Sequence, residues 1–582
     1  MQKYQWAIED LYKDASAFHL EAENISKQLD FSEYCGKLGD KSTFKACMEK
    51  LKQVSRVIEK LSVYAMMQRD IDTSSSEFDA LMSKVMNIST QLSANLSFLT
   101  PELTALNESV LKDYINDEAL SDYSYMLKDV LKNKAHVLSE AEEKLLALSS
   151  EPLSCFKDIF TKIDNADLPL AEIKHNGEKI QLSHGTYGVI MHGKDRALRK
   201  KTFKAYYKGY ADLLNTISST YIGSVKKDVF YAKAKKYPSA LERAFSSEDV
   251  SPVVYENLIK SVRKALPTLH QYIREKKRLL GYSKMHCYDL YVPVTEAGEI
   301  QLPYDKAYDL VKEGLQILGE EYVDILERAR SERWISVYET KNKRSGAYSV
   351  CVYDCHPFVL LNYKETTHDV FTIAHEMGHS IHSYYSNMAQ PYEKADYKIF
   401  VAEVASTVNE VLLLRHLLKQ AKDDKLKKYL LSYLLEMIRT TLFRQTMFSE
   451  FEEYSHKTVE SGNALTKDGM NEKYLSLNKL YYGKSLESDE EIAYEWARIP
   501  HFYRAFYVYK YATGIISALA ITDRILNEGE SAKADYKKFL SSGGSDSPVE
   551  LLKIAGVDLT TKAPFEKAFK VFKETLEEFK KL

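Results

Sequence analysis

At 582 residues the chain is longer than one hydrophobic core usually serves, which predicts two or three lobes with ample volume for an enzyme. Its 80 basic and 83 acidic residues leave a formal net charge of -3, so neither nucleic acid nor an anionic membrane is expected as a partner. A hydrophobic content of 45%, with only 22 Gly and 13 Pro, fits an ordinary globular protein and predicts a mainly α fold of long uninterrupted helices.

In chain order, the N-terminal "MQKYQWAIEDLYKD" lacks the charged-then-apolar pattern of a secretory signal, and no later run approaches 18 apolar residues. A cytoplasmic, unexported protein is expected. Six cysteines without repeated spacing fit reduced thiols. Residues 1–180 read as a helical lobe of amphipathic segments such as "FKACMEKLKQVSRVIEKLSVYAMMQRDID". At "IQLSHGTYGVIMHGKDRALRKK" the character changes: two short apolar runs about a Gly turn predict a hairpin, and Asp195 is placed to cap the next helix. A second domain, 181–582, begins there. Serine caps and Pro252 start another helix, and four β-like runs follow between 286 and 363: "CYDLYVPV", "WISVYET", "YSVCVYD" and "FVLLNY". These predict a small sheet ahead of residue 366. Within it "CVYDCH" places Cys351 and Cys355 on one strand face and reads as a structural thiol pair, since no second cysteine pair completes a metal site.

The next stretch, "FTIAHEMGHSIH", carries H-E-x-x-H as His375, Glu376 and His379. On a helix, residues four apart share a face, so two imidazoles converge on one ion while Glu376 stands beside the open coordination position. About one chain in thirty of this size would hold the motif by chance, so helical context and a third ligand carry part of the case. Thr366 or Thr367 caps the expected helix 366–386, and Gly378 inside it, which costs about 1 kcal/mol against Ala, predicts close approach of another element. A catalytic zinc takes three protein ligands and a water. His382 lies on the same stripe, but three ligands from one straight helix do not readily surround an ion. The apolar helix 397–418, "YKIFVAEVASTVNEVLLLRHLL", offers Glu403, a carboxylate that needs a partner in such surroundings. Glu403 is therefore the expected third ligand, with His382 the alternative. Asp369 and Glu410 are candidates to orient the ligands by hydrogen bonding.

"HEMGHSIH" and "FVAEVASTVNE", with "RSGAYS" (344–349) upstream and "IPHFYRAFYVYKYATG" (499–514) downstream, resemble the thimet oligopeptidase family, most closely its oligoendopeptidase F branch. The resemblance runs over roughly 180–582. It implies a multi-lobed, helical, zincin-like metallopeptidase whose lobes enclose a deep channel for short peptides, with one zinc ion per chain held by His375, His379 and Glu403. It also implies Glu376 as general base, and a late histidine and tyrosines that bind the carbonyl oxygen. In "HFYRAFYVYKY" those are His501 and Tyr503 first, then Tyr509. The mammalian-type members have a glycine-rich loop before these tyrosines and this sequence has none, so the match among tyrosines is open. The expected activity is hydrolysis of internal bonds of unstructured oligopeptides, with "FVLLNY" pairing to the peptide backbone. A carboxypeptidase on a similar scaffold, with Arg504 as anchor for the terminal carboxylate, and a non-catalytic peptide binder are the alternatives. A monomer or small homo-oligomer is expected.

Overall fold

Many of the α-helices begin where a short polar side chain accepts from an exposed N–H group of the first turn, as at Asp40, Ser183, Asp195 and Thr366. The computed structural model describes residues 2–295 and 300–582. In chain order, the elements that matter below are α1 (Lys41–Ile71), the hairpin β1 (Glu172–His175) and β2 (Glu178–Gln181), α2 (His184–His192), α3 (Arg196–Asp212), α4 (Leu214–Ala234), α5 (Pro252–Leu279) and β3 (Met285–His286). After them come α6 (Tyr304–Leu315), α7 (Glu320–Ser331), β4 (Ile335–Ser336), β5 (Tyr348–Val350), β6 (Phe358–Leu360), α8 (Thr367–Ala389), α9 (Ile399–Gln420), α10 (Arg444–Glu460), β7 (Leu486–Glu487) and α11 (Tyr509–Glu528). Caps form as the sequence predicts at Asp195, which accepts from Leu198 N, and at Ser251, followed by Pro252. No helix among the described residues is long and apolar enough to cross a membrane.

The fold is mainly α with small sheets, and it divides into two units. Unit 1 gathers residues 2–137, 300–417 and 521–557; unit 2 gathers 138–295, 418–520 and 558–582. The sequence places a boundary near 180, whereas the chain crosses between units near 137. The first 137 residues do not close a core alone: Val352, Phe358 and Leu360 complete the cluster formed by Phe18, Phe44, Leu61 and Tyr64. A long amphipathic helix such as α1 needs an apolar partner for its buried stripe, and β6 supplies part of it.

Unit 1 carries the three-stranded sheet, order β4-β6-β5, with β4 parallel and β5 antiparallel to β6. The central strand, from "FVLLNY", is therefore paired on both sides and cannot take a peptide, contrary to expectation; β5 is the edge. Cys351 and Cys355 fall just beyond β5, where the chain turns, and both are free thiols.

In unit 2 the hairpin lies earlier than expected. It turns at Asn176-Gly177, both at positive φ, the two-residue turn that matches strand twist. "HGTYGVIMH" is instead the helix α2, because Ser183 and Thr186 form a reciprocal cap. "CYDLYVPV" is likewise not a strand. It begins as a 3-10 turn that delivers the fully buried Asp289 to Arg199, 2.9 Å away, and to Arg196.

Candidate metal centre

The centre in unit 1 starts from the cap of α8. Thr366 Oγ1 accepts from Asp369 N, and Asp369 Oδ2 accepts from Thr366 N and Oγ1 and from Lys364 N. Asp369, expected to orient a ligand, is thus engaged in starting the helix. Two turns later His375 and His379 emerge on one face, their Nε2 atoms 3.2 Å apart. Glu403 Oε2, from α9, lies 3.3 Å from the first and 3.5 Å from the second. Tetrahedral ligands bound at about 2.0–2.1 Å stand about 3.3 Å from one another, so two imidazoles and a carboxylate have the spacing and donor chemistry that zinc takes. Among the described residues this is the one His/Cys/Asp/Glu group with such convergence.

Two observations explain why the helices meet there. A Cβ on Gly378 would lie 2.6 Å from Ser406 Cα and 2.8 Å from Ala405 O, so α9 crosses α8 against bare backbone. The close approach implied by that glycine is the helix that carries Glu403. One turn away Asn409, fully buried, donates to Ala374 O (3.0 Å) and accepts from Tyr322 Oη of α7 (2.8 Å), tying three helices beside the centre. Ser406 Oγ sits 3.2 Å from Glu403 Oε2. Sequence reasoning missed Asn409 and Ser406. The signal was a buried amide in "ASTVNEVLLL", a run too apolar to strand it without partners.

The electrostatics follow from this packing. Glu410 Oε1 lies 2.5 Å from His375 Nδ1, leaving Nε2 to face the centre, as a metal-bound histidine requires. Burial alone pushes the His375 imidazole down, but its contacts with Glu403 and Glu410 outweigh that and hold it well above its ordinary value. Burial pushes Glu403 up, and the same histidines reverse this, so its carboxylate is held ionised far below the usual range. Glu376, 7% exposed, is raised by burial against the pull of His375 and His379. A carboxyl shifted upward is a better proton acceptor than an ordinary one.

His382 is placed elsewhere. It is 1% exposed, stacks on Tyr397 at 3.8 Å with the planes 9° apart, and lies 5.3 Å from Phe539. Burial drives its pKa down to about 3, and the ring acts as an aromatic brace between α8 and the segment leading into α9.

The late histidine and tyrosines lie in unit 2, and both of the expected tyrosines are buried. Tyr503 is buried, stacked on Phe160 at 4.5 Å, with its hydroxyl 2.7 Å from Thr220 Oγ1. Tyr509 is buried and stacked on Phe245 at 4.7 Å. The rings that share the exposed face of His501 are Tyr511, whose hydroxyl is 3.2 Å from His501 Nε2, and Tyr507, whose ring is parallel to the imidazole at 5.9 Å. Arg504 lies over Tyr507 at 4.3 Å. Spacing within "HFYRAFYVYKY" follows no helical period, because the helix α11 begins only at Tyr509.

Comparison with known proteins places the chain among peptidases. Residues 189–571 match the model of Peptidase family M3, and residues 102–169 that of Oligopeptidase F. Oligopeptidase PepF of Bacillus subtilis is 41% identical over 99% of this chain and 87% of its own length. Group B oligopeptidase PepB of Streptococcus agalactiae is 38% identical over 100% and 97%. The crystal structure of oligoendopeptidase-F from Enterococcus faecium superposes with a TM-score of 0.75 at 35% identity, covering 97% of each chain.

Proposed function

The chain belongs to peptidase family M3, and we propose on that premise that its own His375, His379 and Glu403 hold the catalytic zinc of an oligoendopeptidase, with Glu376 as general base. It is a metalloendopeptidase that hydrolyses internal bonds of short oligopeptides. The observation that carries the assignment of residues is the donor triangle of 3.2, 3.3 and 3.5 Å beside the buried Glu376. One zinc ion per chain fits one triangle, and when bound it supplies a water acidified toward neutrality and a Lewis acid for the scissile carbonyl.

The chain's residues do the rest. Glu410 fixes the tautomer and ring plane of His375. Glu376 takes the proton of the attacking water and passes it to the leaving amine, so no covalent enzyme intermediate is needed. His501 and Tyr511 act as donors to the carbonyl oxygen as it gains charge. The edge strand β5, from "RSGAYS", takes the extended peptide by backbone pairing, which reads little of the side chains and predicts broad sequence tolerance.

Glu376→Gln tests the base directly. It should keep its zinc and lose peptidase activity by about a thousandfold. Full activity with full zinc content would remove Glu376 from the mechanism. In parallel, Glu403→Ala should lose zinc and His382→Ala should retain it; equal losses would overturn the third ligand.

A further inference from the structure

Seven described residues other than glycine have positive φ, and Phe506 is the one aromatic among them, at φ +49° and 2% exposed. A bulky residue in this region is strained, typically by about 1–3 kcal/mol, and survives only where its surroundings enforce it. The enforcing group is Glu452 on α10. Its Oε1 accepts from Phe506 N at 2.7 Å, while the carboxyl is 1% exposed and its other oxygen has no hydrogen-bond partner. The surroundings are equally fixed. His456, one turn along α10, gives its Nδ1 to Glu452 O at 2.9 Å, lays its ring 4.7 Å from that of Phe506, and faces Asp228 at 3.5 Å.

The strained residue sits inside the segment that bears His501, Tyr507 and Tyr511. With its backbone left-handed, Phe506 turns into the core and Tyr507 emerges beside His501. Tyr511, one turn further, reaches the same imidazole. A relaxed backbone at 506 would rotate both tyrosines relative to the histidine.

We propose that Glu452 is a positioning residue for the His501–Tyr511 donors, acting by holding Phe506 in its left-handed conformation through a single buried hydrogen bond. It rests on the reading of His501 and Tyr511 as groups that meet the substrate carbonyl. The role needs an acceptor at one point in space, not a charge. Burial pushes the Glu452 carboxyl up to about 8 against the pull of His456, so a neutral amide is a close replacement for it.

The test uses the full-length zinc-loaded protein, an internally quenched peptide, and hydrogen exchange over residues 504–511. Glu452→Gln should stay within about twofold of the wild type in kcat, since its carbonyl can still accept. Glu452→Leu should lower kcat about tenfold with KM and zinc content nearly unchanged, and speed exchange over 504–511. Glu452→Asp, which keeps the acid but withdraws the acceptor by one methylene, should fall between them, and reads the same point if the leucine variant does not fold. Tyr511→Phe should cost little further activity in the Glu452→Leu or Glu452→Asp background, because the two act as a unit. Unchanged kcat and exchange in both Leu and Asp variants, or losses that multiply with that of Tyr511→Phe, would overturn the proposal. If His501→Ala and Tyr511→Phe alone left kcat unchanged, the reading of the donors would fail instead, and the exchange data would still report whether Glu452 orders the turn.

Discussion

In the candidate metal centre of unit 1 the residues expected from the sequence, His375, His379 and Glu403, converge, whereas on the histidine–tyrosine face of unit 2 the expected Tyr503 and Tyr509 are buried away from His501 and other tyrosines stand beside it. The difference lies in what each residue type does elsewhere in the chain. A glutamate in an apolar helix, or two histidines one turn apart, are expensive to bury without partners, so their presence already says that something meets them. A tyrosine buries cheaply, and with 42 in the chain the functional ones look like the packing ones. Chemistry is legible where the residue would be out of place without it.

Gly378→Ala would strain that comparison most. The added methyl meets backbone of α9, which cannot swing aside as a side chain would, so the helices must separate by tenths of an ångström where the donor triangle tolerates little. We expect a loss of about 3 kcal/mol in stability, read as a lowered Tm, together with weakened zinc binding. An alanine variant with wild-type Tm and zinc affinity would show that the crossing of α8 and α9 does not set the site.

Glu452→Gln probes unit 2 through pH. The folded state holds the Glu452 proton more tightly than the unfolded chain, because burial raises its pKa from 4.5 to about 8. Its contribution is therefore fully present below about pH 4.5 and drains away as pH rises toward 8. The glutamine variant does not titrate there, so its stability relative to the wild type should rise by about 2 kcal/mol between pH 6 and pH 8. Parallel pH profiles of the two proteins, in urea unfolding, would contradict this.

Glu410→Gln returns to unit 1. It removes the carboxylate that orients His375 and should weaken zinc binding by about tenfold or more, measured by chelator competition. Asp369→Asn should not, because Asp369 Oδ2 is engaged in the cap of α8. Equal effects would return Asp369 to the role its position in the sequence suggests.

Much of the fold was also readable, for local reasons. Asp195, Ser251 and Thr366 cap helices as expected because capping is decided within four residues. "HGTYGVIMH" and "CYDLYVPV" misled because their outcome depends on other segments: the first on a cap and an earlier Asn-Gly turn, the second on an aspartate drawn to arginines some 90 positions away. The compact units part near 137 and not near 180 for a similar reason, since Phe18, Phe44, Leu61 and Tyr64 of the N-terminal helices close their core on the distant Val352, Phe358 and Leu360. At the site, His375, His379 and Glu403 follow from spacing and burial cost, whereas Asn409 serves only through a helix crossing that no local pattern announces.

The smallest effects would sharpen the comparison best, by separating tyrosines of one segment. Tyr511→Phe keeps the ring, the packing and the 5.4 Å edge contact with Tyr507, and deletes only the hydroxyl that faces His501. If that hydroxyl meets the carbonyl oxygen, kcat should fall by about tenfold with KM little changed, because the contact strengthens as charge develops. Tyr503→Phe deletes a hydroxyl that bonds Thr220 inside the core. It should leave kcat alone and cost about 1 kcal/mol in stability, the worth of one buried hydrogen bond. The pair thus discriminates by kind of effect as well as by size: a catalytic loss without destabilisation at 511, and destabilisation without catalytic loss at 503. The reverse pattern would mean that Tyr503, the tyrosine the resemblance offers first, is the one that meets the substrate, and that the exposed face around His501 is not the one that works.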